Sequence, residues 1–207
     1  MNLNRYIARQ FANPSGLGGK VITAVMNQQN MPLYQATINY LSPENEENIL
    51  DIGCGNGFVL NQIAKQSECQ LVGIDISQST LKSAAKRNKK LVTSGNLSLL
   101  QCNVSHIDFP ENSFDKCYSI NVSYFWEDLR LAMSEIKRVL KLNGIYINTI
   151  YSQQMLKTFS HTQFGYQNVS VEELTTIGKL LGFQVTVKSV LNGRAVCIIF
   201  QVASAES

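Results

Sequence analysis

Apolar residues along this chain follow two rhythms. Short unbroken runs alternate with stretches in which apolar positions return every third or fourth residue. Runs bounded by turn residues read as buried strands, and the longer period reads as helices with one apolar face. The pattern predicts strands over 49–52, 70–76, 97–102, 116–122 and 145–150, and a closing pair over 184–191 and 195–202. Between that pair stands Asn192-Gly193, a strong signal for a hairpin. Helices are predicted over 5–11, 21–30, 33–41, 58–67, 78–91, 129–140 and 170–181. The clearest is the stretch with Leu129, Ala132, Met133, Ile136, Val139 and Leu140 at helical spacing, expected to end at Asn143-Gly144. Pro32 marks a break between the second and third helices, and Ser170 with Glu173 forms a capping box before the last. Strands alternating with helices predict an α/β fold. The expectation is one domain, 1–207, with a helical cover or lid at 1–46 and the core at 47–207.

The most informative stretch is Leu50-Asp51-Ile52-Gly53-Cys54-Gly55-Asn56-Gly57-Phe58. A buried strand runs into three glycines at alternate positions and then into a helix. Glycine allows the turn to visit backbone angles that a Cβ disfavours, and lets a ligand reach the N–H groups at the helix start. The dinucleotide fingerprint G-x-G-x-x-G wants glycine where this chain has Phe58. Downstream, Asp75 ends the second strand close to the roughly 20-residue offset of an acid that grips a ribose. Ser77 is the better cap for the helix that follows, which leaves Asp75 for a ligand. Ile76 offers an apolar wall for an adenine. Asn103-Val104, at the end of the third strand, has an acceptor side chain and a backbone donor for that ring; a simple turn at Asn103 is the alternative.

Composition narrows the class without naming a ligand. Net charge is +3, too weak to argue for nucleic acid. The basic residues that cluster between Lys82 and Lys90 read as the solvated face of a helix. No apolar run approaches the roughly 20 residues of a membrane span, and the N-terminus lacks the apolar core of a signal peptide. The five cysteines form no C-x-x-C pair, so a reduced, cytoplasmic protein is expected. Cys102, His106 and Asp108 match no standard zinc spacing, and no metal is expected. Gly16-Leu17-Gly18-Gly19-Lys20 lacks the first glycine, the Ser/Thr and the preceding strand of a phosphate loop.

The glycine turn with its acid, then Asp75, Asn103-Val104 and the helix ending Arg138-Val139-Leu140-Lys141-Leu142-Asn143-Gly144, occur together and in order. In this the chain resembles the class I S-adenosylmethionine-dependent methyltransferases. It is most similar to the small bacterial ubiquinone/menaquinone-biosynthesis-like type, methyltransferase domain 11. Two positions depart from that pattern: Asn103 stands for an acid, and Asn143-Gly144 for Pro-Gly. The resemblance implies a Rossmann-like, seven-stranded, mostly parallel sheet with an antiparallel last strand, helices on both faces and a helical N-terminal lid. It implies S-adenosyl-L-methionine held by Asp51, Gly53, Gly55, Asn56, Gly57, Asp75, Ile76, Asn103 and Val104, with Asn121 near the methyl. The implied activity is methyl transfer to a small-molecule acceptor. A non-catalytic cofactor-binding protein and a nucleotide-cofactor oxidoreductase are the alternatives. Loops after the fourth and fifth strands should rim the methyl, which makes Tyr124, Trp126, Phe159, Phe164 and Tyr166, with Tyr6 and Phe11 of the N-terminal helices, candidates for the acceptor pocket. No base is assigned; His106 and His161 are candidates only.

Overall fold

The computed structural model describes residues 16–159 and 166–203, with only the backbone course for 16–25. In chain order these are helix α1 (Gly16–Leu41), β1 (Asn48–Ile52), α2 (Phe58–Ile63), β2 (Gln70–Asp75), α3 (Gln78–Arg87) and α4 (Lys89–Thr93). Then come β3 (Leu97–Gln101), β4 (Phe114–Ile120), a 3-10 turn (Ser123–Phe125), α5 (Leu129–Val139) and β5 (Leu140–Tyr151). The described chain ends with α6 (Gln153–Leu156), α7 (Val171–Leu180), β6 (Phe183–Val190) and β7 (Ala195–Val202). The seven strands form one sheet in the order β3-β2-β1-β4-β5-β7-β6. All neighbours are parallel except β7, which runs antiparallel to both β5 and β6. This is the Rossmann-like architecture expected.

The strand order turns back between β1 and β4. At such a switch point the following loops leave in opposite directions and open a crevice outside the carboxyl ends of the strands. Each face of the sheet carries its own core. Leu50, Ile52, Cys117, Tyr146 and Ile150 pack with Met133 and Ile136 of α5 and Leu174 of α7. On the other face Ile49, Leu71, Tyr118 and Ile147 pack with Ile38 and Leu41 of α1, Leu60 and Ile63 of α2 and Leu81 of α3. The alternation of Ile49 and Leu50 between the two cores is the period-2 pattern of a strand covered on both sides.

Four sequence expectations are corrected. The helices expected over 21–30 and 33–41 are one helix, with Pro32 inside it. Proline there removes one N–H, and the helix is held instead by burial of Leu33, Thr37 and Leu41 and by a 2.7 Å hydroxyl contact from Thr37 to Thr149 on β5. The helix expected over 78–91 divides at Asn88, whose amide turns inward to donate to the Gly57 and Ala84 carbonyls at 2.9 and 3.1 Å. The helix over 58–67 stops at Ile63. Finally, Asn143-Gly144 does not end α5, which stops at Val139; the pair lies inside β5, where the pairing with β4 shifts register between Phe114 and Lys116. Asn143 takes a positive φ of 63° there, so the turn signal marks a bulge. The helix expected over 5–11 lies outside the described residues.

Candidate functional site

The glycine turn sits at the carboxyl end of β1, at the mouth of the switch-point crevice. Gly53, Gly55 and Gly57 all have positive φ, at 73°, 53° and 69°. Two of them are also hemmed in. A Cβ on Gly53 would lie 2.6 Å from Val122, and one on Gly57 would lie 2.5 Å from the Asn88 amide. Gly55 differs: a Cβ there would meet nothing within 4 Å. Its bare face is turned to open space, as a backbone that a ligand approaches must be.

Asp75, at the end of β2, reaches the same turn. Its carboxylate accepts from the Gly55 N–H at 3.1 Å and from the Ser77 N–H at 2.8 Å. Burial raises its pKa, against the two N–H donors that lower it. Ser77 caps α3 by accepting from Thr80, so Asp75 is not spent as the cap. Ile76 beside it is an apolar side chain left 67% exposed. Val104 is buried, whereas Asn103 is exposed and its side-chain oxygen accepts from the Ser105 N–H at 2.9 Å. Asn103 therefore forms the turn weighed as its alternative, with one acceptor position already engaged.

Asp51 lies beneath the turn and is 4% exposed. Tyr118 on β4 donates to it at 2.7 Å. Burial pushes its pKa up to about 8, the tyrosine O–H draws it down, and the charge of Asp75 raises it further.

Helix α1 closes one side of this ground, through residues that the sequence pattern did not single out. Asn56 donates to Asn27 at 3.3 Å, and Tyr34 donates to the same oxygen at 3.3 Å. Asn121, at φ 56°, donates to Asn30 at 3.2 Å, and Tyr151 donates to that oxygen at 3.0 Å. The Asn121 oxygen in turn accepts from the Tyr151 N–H at 3.3 Å. Amides and phenols thus join the glycine turn, α1 and the ends of β4 and β5. Their signal in the sequence is Asn27, Asn30 and Tyr34 at helical spacing, legible only once α1 is known to be continuous. Phe58, which breaks the dinucleotide fingerprint, packs its ring 5.5 Å from Tyr34 and lies beneath the guanidinium of Arg87.

The expected acceptor residues separate. Tyr124 and Trp126 are 0% and 7% exposed, inside the main core. Tyr166 packs 4.7 Å from Phe125 and 5.6 Å from Tyr124, and burial raises its pKa to about 12. Phe159 packs instead on Tyr151 at 5.5 Å. Tyr6, Phe11, Phe164 and His161 lie outside the described residues. Beneath Ser123, the fully buried Asn148 accepts from Ser119 and Ser123 at 3.3 and 3.5 Å, while its amide nitrogen has no partner among the described residues. His106 is exposed; its carbonyl accepts from the Cys102 thiol at 3.2 Å. Among the described residues no three His, Cys, Asp or Glu side chains gather as a metal site, and no helix is long and apolar enough to cross a membrane.

A glycine turn and an acid thus meet at the switch point of this sheet. Residues 50–148, a little under half of the chain, match the methyltransferase domain family. The match is to the domain family as a whole rather than to the ubiquinone/menaquinone type. The chain is 33% identical over 121 residues to the uncharacterized methyltransferase YdaC of Bacillus subtilis, covering 58% of this chain and 65% of that protein. It spans less of other curated relatives, 37% of the sterol 24-C-methyltransferase of Pneumocystis carinii, to which it is 30% identical over 64% of its own length. Among solved structures, a SAM-dependent methyltransferase from Aquifex aeolicus superposes with a TM-score of 0.71 at 17% identity, over 98% of this chain and 100% of that one. A complex of the Haloferax volcanii Trm112 methyltransferase activator with a methyltransferase gives 0.78 at 16% identity, over 88% and 93%. At such identities the structures speak for the fold.

Proposed function

We propose that the protein binds S-adenosylmethionine in the crevice beside the glycine turn and transfers its methyl group to a small, partly apolar acceptor by direct displacement. The observation that carries this reading is the open face of Gly55, held in place by the carboxylate of Asp75. The cofactor supplies a methyl group on a sulfonium, whose leaving group departs neutral. The chain's own work is therefore positional. Gly53, Gly55 and Gly57 present backbone at close range, and Asn56 closes the turn. Asp75 would hold the ribose hydroxyls, and Ile76, Val104 and Asn103 would hold the adenine. Asn121 stands where the methyl would meet its acceptor. Holding two reactants in line can supply roughly 7–11 kcal/mol of the barrier without any base. Asp51 remains under the turn, its carboxyl held by the Tyr118 O–H.

Two ligand additions and one variant test this. S-adenosylhomocysteine should raise the melting temperature of the protein, NAD(H) should not, and Gly55→Ala should abolish the rise while still melting cooperatively. Stabilisation by NAD(H) alone would sink the reading. Transfer of labelled methyl to a small-molecule extract then separates an enzyme from a protein that only holds the cofactor.

A further inference from the structure

One edge of the molecule carries charge that the methyl-transfer site does not use. Residues 76–107 contain no Asp or Glu but hold Lys82, Lys86, Arg87, Lys89 and Lys90. These five cations exceed the net +3 of the whole chain, so the remainder is net acidic. All five are exposed, and none takes part in the ion pairs found among the described residues, Lys116–Glu47, Arg138–Glu135 and Lys141–Asp115. Lys82, Lys86 and Lys90 follow one another at four-residue steps along α3 and α4. Like charges at that spacing repel and destabilise a helix. A merely solvated face would gain from alternating signs, and this one has none.

We propose that the α3–α4 edge docks on an acidic membrane surface. Four of the five cations are lysines on exposed helical positions, a form that suits attraction by charge density rather than planar, bidentate recognition. Clusters of four to eight Lys/Arg on a helix are the pattern by which anionic headgroups are held. Apolar side chains lie among them: Val92 on α4 is 40% exposed, and Leu100 on the neighbouring edge strand β3 is 41% exposed. Side chains of that kind can enter the headgroup layer when charge has brought the surface near. The described aromatic rings near the edge, Phe58 and Tyr34, are turned toward each other, so the edge has no platform for stacking bases. Arg87 links the edge to the cofactor site, since its Nε–H donates to the Asn56 carbonyl of the glycine turn at 3.1 Å.

The test is flotation of the full chain with vesicles. Those containing phosphatidylserine in phosphatidylcholine should carry the protein at low salt and release it at high salt; pure phosphatidylcholine should not carry it. The triple variant Lys86→Gln, Lys89→Gln, Lys90→Gln should reduce partitioning at least about tenfold. That variant leaves Arg87 and the glycine turn intact, so its melting temperature and S-adenosylhomocysteine binding should match the parent. Equal flotation of parent and variant overturns the proposal. So does equal binding to neutral vesicles, or retention on polyuridylate without flotation, which would make the edge a nucleic-acid face.

Discussion

Asp75 has two duties. Its carboxylate holds the Gly55 and Ser77 N–H groups, and in the proposed function it also holds the ribose. Asp75→Asn keeps the shape but replaces one acceptor oxygen by a donor. Calorimetry should show S-adenosylhomocysteine affinity falling by about 1.5–3 kcal/mol, the range for hydrogen bonds to a charged group; unaltered affinity would refute the ribose role. Asp51 makes a prediction about pH. An unfolded aspartate ionises near pH 4, whereas burial holds this one protonated to about pH 8. Between those values the native state keeps a proton that the unfolded state has lost, so Asp51 makes stability fall as pH rises through the window. Asp51→Asn should flatten the fall in a series of urea titrations from acid to pH 8. The glycines, Asp51 and Asp75 were all legible in the sequence, because strand, turn and acid are local signals. Asn27, Asn30 and Tyr151 were not, because three distant segments must meet before their side chains share a hydrogen bond.

The three glycines of the β1–α2 turn should respond differently to the same methyl group. Alanine at position 57 would press on Asn88 and Ala84, and at position 53 on Val122, each with an unfavourable φ. Overpacking costs about 1–3 kcal/mol, to which the left-handed backbone adds about 1–2. Alanine at position 55 has only the backbone penalty, so Gly55→Ala should melt closer to the parent yet lose the cofactor. Thermal melts with and without S-adenosylhomocysteine read both effects; equal destabilisation of all three would remove the special place of Gly55. Element types were legible where apolar period and turn residue agreed, as in α5, the capping box of α7 and the β6–β7 hairpin. Boundaries failed where tertiary contact overruled a local signal. Pro32 did not break α1 because Leu33, Thr37 and Leu41 are buried around it, and Asn143-Gly144 did not end α5 because β5 begins at Leu140.

At the scale of the molecule α1 is a wall of the core. Ile38 and Leu41 belong to the core with Ile49 and Leu60, and Leu33 packs with Tyr151 and Ala195. Removing residues 1–41 should therefore destroy cooperative unfolding rather than merely open the site; a truncated protein with a parent-like melt would show that α1 is dispensable to the core. The overall architecture was legible because alternating strands and helices permit few topologies. The charged edge was visible only as composition until the structure showed every member exposed and none in an ion pair among the described residues. The placing of β7 has a last consequence, in the order of synthesis. β5 is twelve residues long and finds its second neighbour in β7, which leaves the ribosome after every other strand. Until residues 195–202 emerge, the nascent chain presents the long, apolar flank of β5 with half its ladder unmade, the form of edge that recruits other chains. For this protein the interval between the fifth strand and the seventh is when that flank lies unpaired.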